Sequence, residues 1–150
     1  MSTQTKENYL KAVFSIAQKK GIVSITEQAE MMEVSKPTVN SMVKKMQEKK
    51  WITYEKYKPL KLTEEGEKVA ALIVRKHRLT EMFLTEIMSF GWEEVHEIAE
   101  EMEHLNATIL FDRMDEILGN PTIDPHGSPI PDRMGKITNP SFINLSTLIK

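Results

Sequence analysis

Apolar residues near the start of the chain fall at Tyr9, Leu10, Val13, Phe14 and Ala17. That three-and-four spacing puts them on one face of a helix predicted over about Thr5–Lys19. Gly21 ends it. Ser24, followed by Glu27, is a capping-box pattern that opens a short second helix through Ala29 and Met32. Val34 and Ser35 make a tight connection. Ser35 can cap a third helix, with Pro37 in the first turn, where a missing N–H costs nothing. Val39, Met42, Val43 and Met46 point inward along it, and it runs to about Lys50. The pattern then changes from helical to alternating. Trp51–Glu55, the polar turn Lys56–Pro59 and Leu60–Thr63 predict a β-hairpin.

Thr63 is a good N-cap, with Glu64 and Glu65 placed to favour the helix dipole. One long helix is predicted from there to about Ser89, broken by Gly91, and another from Glu93 to about Leu118. Gly119-Asn120-Pro121 is a stop. The stretch from Pro121 onward holds five of the seven prolines and is expected to be an extended, weakly structured arm. No internal repeat is present. The expected fold is mainly α. A winged helix-turn-helix over 1–63 is followed by a helical domain over 64–135 and a tail over 136–150.

Charge divides at the same place. Residues 1–63 hold 12 Lys and 6 Glu, a balance of +6, while residues 64–150 hold 8 basic and 16 acidic residues, a balance of −8. The first part suits a polyanion and the second suits cations. With no Cys, disulfides and thiolate metal sites are excluded. No apolar run approaches a signal-peptide core or a membrane span, so a cytoplasmic location is expected.

The third helix begins with compact polar side chains at Ser35, Lys36, Pro37, Thr38, Asn40 and Ser41, which can approach base edges and thymine methyls. Lys44 and Lys45 suit phosphates, as does Lys36. At the hairpin tip Lys56, Tyr57 and Lys58 offer two cations and a hydroxyl to a phosphate strand. Double-stranded DNA is the expected partner.

Three of the four His lie in the two long helices beside carboxylates. His77 and Glu81 are four apart, and His96, Glu100, Glu103 and His104 follow at steps of four, three and one. The latter four are expected on one helical stripe. Oxygen and nitrogen donors without sulfur suit Mn(II), Fe(II), Co(II) or Zn(II). Spacing alone does not choose between such a site and a solvated acidic face built from Glu93, Glu94, Glu97, Glu100, Glu101 and Glu103. Glu93 with His96 and Glu101 with His104 also have the spacing of carboxylate-bridged di-metal proteins. A helical metal-binding or di-metal redox protein without DNA binding is therefore the alternative. Phosphate loop and nucleophile elbow are both lacking, and an enzyme is not expected.

Five stretches resemble the diphtheria-toxin-repressor family of iron- and manganese-dependent transcriptional regulators. They are Glu7-Asn8-Tyr9-Leu10-Lys11, Val34-Ser35-Lys36-Pro37-Thr38-Val39, Arg75-Lys76-His77-Arg78-Leu79-Thr80-Glu81, Glu100-Glu101-Met102-Glu103-His104, and His126-Gly127-Ser128-Pro129-Ile130-Pro131. The likeness spans roughly residues 4–135. It implies a transcriptional repressor of metal-homeostasis genes and a homodimer built on residues 64–135, acting on a palindromic operator. It also implies two metal sites per subunit, with the ion as corepressor. One site would use Asn8, Glu100, Glu103 and His104. The other would use His77, Glu81 and His96, with one of the shared carboxylates as a further candidate.

Iron-type members of that family usually have Met and Cys at the Asn8 and Glu100 positions, and manganese-type members Asp and Glu. Glu100 follows the manganese type, Asn8 follows neither, and Lys11 stands where a manganese-type carboxylate can lie. The hard donor set ranks Mn(II) first and Fe(II) second. Leu145–Lys150 resembles the opening of the β-barrel domain that larger members carry.

Overall fold

The computed structural model describes residues 3–137. Two compact units divide the chain between Ala71 and Leu72, within the fourth helix.

In the first unit α1 (Thr3–Lys20), α2 (Ile25–Met32) and α3 (Lys36–Glu48) precede a two-stranded antiparallel sheet of β1 (Ile52–Thr53) and β2 (Lys61–Leu62). The expected caps form: Ser24 Oγ accepts from the Glu27 amide at 3.0 Å, and Ser35 Oγ from the Thr38 amide at 3.3 Å. Glu33, in the left-handed conformation at φ 57°, makes the bend between α2 and α3. Leu10, Val13, Val39, Met42, Val43 and Met46 are fully buried. Each burial of this kind contributes roughly 1.5–3 kcal/mol before chain entropy is counted. Gln28 joins them, its Nε2 donating to the Tyr9 carbonyl at 3.0 Å. The hairpin is shorter than the alternation predicts, because only Ile52–Leu62 and Thr53–Lys61 pair. A third segment joins it: the Leu60 amide donates to the Val23 carbonyl at 2.7 Å.

α4 (Glu64–Glu86) starts where Thr63 caps it, Thr63 Oγ1 accepting from the Gly66 amide at 2.9 Å and donating to the Lys50 carbonyl at 2.6 Å. Gly66 is required there, since a Cβ would lie 1.9 Å from the Trp51 carbonyl oxygen.

The second unit departs from expectation. Instead of one helix over 93–118, α5 (Trp92–Met102) and α6 (Thr108–Ile117) are separated by a turn. The reason lies in phase. Val95, Ala99 and Met102 share one face, and Phe111, Met114 and Leu118 share another. In an unbroken helix Met102 and Phe111, nine residues apart, would face roughly 180° away from each other. The break brings both to one core with Leu79, Met82, Phe83 and Ile130. The stretch after α6 is also more ordered than a weak arm. Asp124 Oδ1 accepts from the amides of His126 and Ser128 at 2.9 and 2.8 Å, Ile123 pairs with Pro129, and Ile130 enters the core. The Trp92 ring stacks on His126 at 4.3 Å, which pins this loop to the start of α5. Most of the expected 136–150 tail, including Leu145–Lys150, lies outside the described residues.

Candidate metal centre and nucleic-acid interface

His77 and Glu81 stand one turn apart on α4, and α5 carries His96 to meet them. His77 Nε2 lies 3.3 Å from Glu81 Oε1, and His96 Nδ1 lies 3.2 Å from Glu81 Oε2. The two imidazoles meet edge to face with centroids 5.0 Å apart. One ligand atom from each residue lies within 4.8 Å of the others. Bonds of about 2.0–2.2 Å to nitrogen and oxygen put the ligand atoms of one ion roughly 3–4 Å apart, so the three donors fit a divalent cation after small side-chain adjustments. A cavity of about 170 Å³, lined by Arg78, Glu81, Trp92 and Asp124 among others, lies beside Glu81, and neither histidine lines it.

Glu103 adds a contact that spacing does not foretell. It is 0% exposed, with Oε1 2.6 Å from His77 Nδ1 and Oε2 3.7 Å from His104 Nε2. Its position follows from helical phase: Glu103, still αR with its amide bonded to the Ala99 carbonyl at 2.9 Å, continues the buried Val95–Ala99 side of α5, while His96 and Glu100 stay on the exposed face, 2.9 Å apart. The expected stripe of four is thus divided between surface and interior. Burial works against a charged His77 ring, but hydrogen bonds to Glu103 and Glu81, with their charges, outweigh it. They hold His77 at about 9, above its ordinary 6.5. Burial would also raise Glu81; its bonds to His77 and His96, with their charges, hold it below the usual carboxylate range instead. Asn8 stands half-buried on α1 of the first unit, whereas Glu100, Glu103 and His104 belong to the second.

Two arginines of the same α4 segment, which carried no expected role, tie the second unit together. Arg75 is buried, with Nη2 3.0 Å from Asp112 and 3.4 Å from Asp115. Arg78 donates to the Pro129 carbonyl.

In the first unit Ser35, Lys36, Pro37, Thr38, Asn40, Ser41 and Lys44 are all exposed on α3, and Lys45 is half-buried. Their shared exposure follows from the helical period, because Val39, Met42, Val43 and Met46 take the opposite face inward. At the hairpin tip Lys56 Nζ sits 5.1 Å from the centre of the Tyr57 ring, and Lys58 pairs with Glu55 at 2.7 Å. Tyr57 is 89% exposed and held at φ 68°. A bulky side chain in that region costs roughly 1–2 kcal/mol relative to glycine.

Comparison with known proteins identifies the family. Residues 1–60 match the family model described as the N-terminal DNA-binding domain of iron-dependent repressors. Residues 63–132 match the model described as their metal-binding and dimerisation domain. The chain is 34% identical to the iron-dependent repressor IdeR of Mycobacterium tuberculosis over 128 residues, 85% of this chain and 55% of that protein. It is 30% identical to the transcriptional regulator MntR of Bacillus velezensis over 79% of this chain and 82% of that one. A solved manganese-dependent transcriptional repressor in complex with manganese superposes with a TM-score of 0.77 at 36% identity, over 89% of this chain and 61% of the other. The chain thus spans little more than half the length of IdeR.

Proposed function

The chain belongs to the iron-dependent repressor family, and from that premise we propose that it is a DNA-binding repressor of metal-homeostasis genes with Mn(II) or Fe(II) as corepressor. The observation that carries this reading is the convergence of His77, Glu81 and His96 in a chain that also exposes Lys36, Thr38, Asn40, Ser41 and Lys44 on α3. The basic face of α3 would enter the major groove, with Lys36 and Lys44 on phosphates and Thr38, Asn40 and Ser41 near base edges. Tyr57 supports a contact role for the hairpin tip, because its strained backbone is gratuitous unless the side chain is used.

Glu100, Glu103 and His104 would contribute to one metal set and His77, Glu81 and His96 would form the other. A bound ion would supply two positive charges amid these carboxylates and hold their elements together. The donors are oxygen and nitrogen only, which favours Mn(II) over softer ions, with Fe(II) second. Residues 64–135 would form a homodimer, for which the exposed Ile109, Leu110 and Ile117 of α6 supply apolar surface. Such a twofold dimer reads a palindromic operator. Acting on chromosomal DNA, it would work in the cytoplasm.

The di-metal redox alternative needs Glu93–His96 and Glu101–His104 to share an ion. Among the described residues, the group close enough to do so contains neither Glu93 nor Glu101.

Mobility shift of palindromic genomic fragments across Mn(II), Fe(II), Co(II), Zn(II) and a chelator tests the proposal. Retardation is expected with Mn(II) or Fe(II) and lost with chelator. Equal binding in every lane would remove the metal from the account, and no binding in any would remove the DNA.

A further inference from the structure

We propose that Glu55 restrains sequence-independent DNA binding by holding Lys58 at the hairpin tip; this rests on the DNA reading of the first unit. Residues 55–58 form a tight turn between the two strands, closed by the Lys58 amide donating to the Glu55 carbonyl at 3.0 Å. Tyr57 takes the third position of that turn at φ 68°, where glycine or asparagine is usual. Its ring is exposed, and the Lys56 ammonium lies 5.1 Å from the ring centre. The Lys58 ammonium lies instead 2.7 Å from Glu55 Oε2.

That ion pair is not needed for the fold. Its side chains are 67% and 72% exposed, and an exposed pair of this kind adds little to stability. The backbone bond of the turn already sets residues 55 and 58 side by side. Glu27, also paired with a lysine in the first unit, is different. It lies 2.7 Å from Lys20 but also accepts from the Ser24 hydroxyl, which caps α2. Among the described residues Glu55 has no such second partner.

The effect of Glu55 lies in charge. On α3, Lys36 and Lys44 are exposed and the first turn holds no carboxylate. At the tip one carboxylate sits against one of two cations, so residues 55–58 present a charge of +1 in place of +2. A phosphate can take Lys58 only in exchange for Glu55, and the released carboxylate then repels the same strand. That penalty falls on every sequence alike, because phosphates carry no base information. Sequence-independent binding consists almost wholly of such contacts, so Glu55 holds it down.

Anisotropy titrations of the full chain with a random-sequence duplex, over a salt series, test this in Glu55→Gln, Lys58→Gln and the double variant. Glu55→Gln is expected to tighten binding about 2- to 5-fold at about 0.1 M salt and to steepen the salt slope by up to about 0.9. In the Lys58→Gln background the same change is expected to lose most of that gain. Unchanged or weaker binding by Glu55→Gln would overturn the restraint. An equal gain in the Lys58→Gln background would overturn its action through Lys58. Lys44→Ala, run alongside, separates the two readings. If Lys44→Ala weakens binding while Glu55→Gln changes nothing, the DNA face stands and the restraint falls. If the unaltered chain and every variant leave the duplex free at all salt concentrations, with and without Mn(II), the DNA reading falls and this inference falls with it.

Discussion

Glu103 Oε1 lies 2.6 Å from His77 Nδ1 although 26 residues separate them, and the carboxylate is fully buried there. The contact ties the turn after α5 to the middle of α4. Glu103→Ala is expected to destabilise the chelated protein by about 1.5–3 kcal/mol, the range for a hydrogen bond to a charged group. Urea unfolding in the presence of chelator measures it, and a loss below about 0.5 kcal/mol would mean the contact contributes little.

The same pair sets a pH dependence. His77 is held at about 9, above its ordinary 6.5. A base whose folded value is raised adds stability that is full below the unfolded value and lost as pH climbs through the folded one. Chelated protein should therefore lose stability between about pH 6.5 and 9, at no more than about 1.4 kcal/mol per pH unit. His77→Gln should flatten that slope. Metal uptake should show the opposite trend, tightening across the same window as the proton that competes for the ring is withdrawn. Denaturation and Mn(II) titration over a pH series check both signs.

Gly66 offers a test of the first unit. A glycine-to-alanine change inside a helix ordinarily gains roughly 1 kcal/mol. Here the added Cβ would meet the Trp51 carbonyl at 1.9 Å, and that backbone also accepts from Thr63. Gly66→Ala is expected to destabilise by about 1–3 kcal/mol instead. Thermal unfolding decides the sign.

The DNA face predicts a separable pair of effects. Lys44→Ala should weaken binding to every sequence and lower the salt slope by about 0.9. Tyr57→Gly should relieve the strained φ of 68°, leaving the fold as stable or more so while weakening DNA binding. Anisotropy titrations over a salt series, with melting curves alongside, distinguish loss of contact from loss of fold.

Much of this was legible in the sequence because the first unit is built from local signals. Ser24, Ser35 and Thr63 announce their helices within three residues, and the apolar phase of α3 fixes which side Lys44 and Asn40 occupy. What escaped depends on long-range geometry. The split between α5 and α6 was written in the mismatched phase of Met102 and Phe111, but it has meaning only when both must reach the same core. Glu103 could be chosen as a candidate ligand from its neighbours, yet its bond to His77 crosses from one helix to another. The ordering of residues 122–130 rests on the Asp124 turn and on Trp92 stacking against His126, neither of which leaves a periodic trace.

The central claim is that metal and DNA bind to one coupled system, and linkage makes it measurable from either side. Titration calorimetry of Mn(II) into the protein, alone and with a saturating operator duplex, tests it most directly. Mn(II) affinity is expected to be roughly 5- to 150-fold tighter with DNA present, matched by the same factor for DNA when Mn(II) is present. Equal Mn(II) affinity with and without the duplex would contradict it.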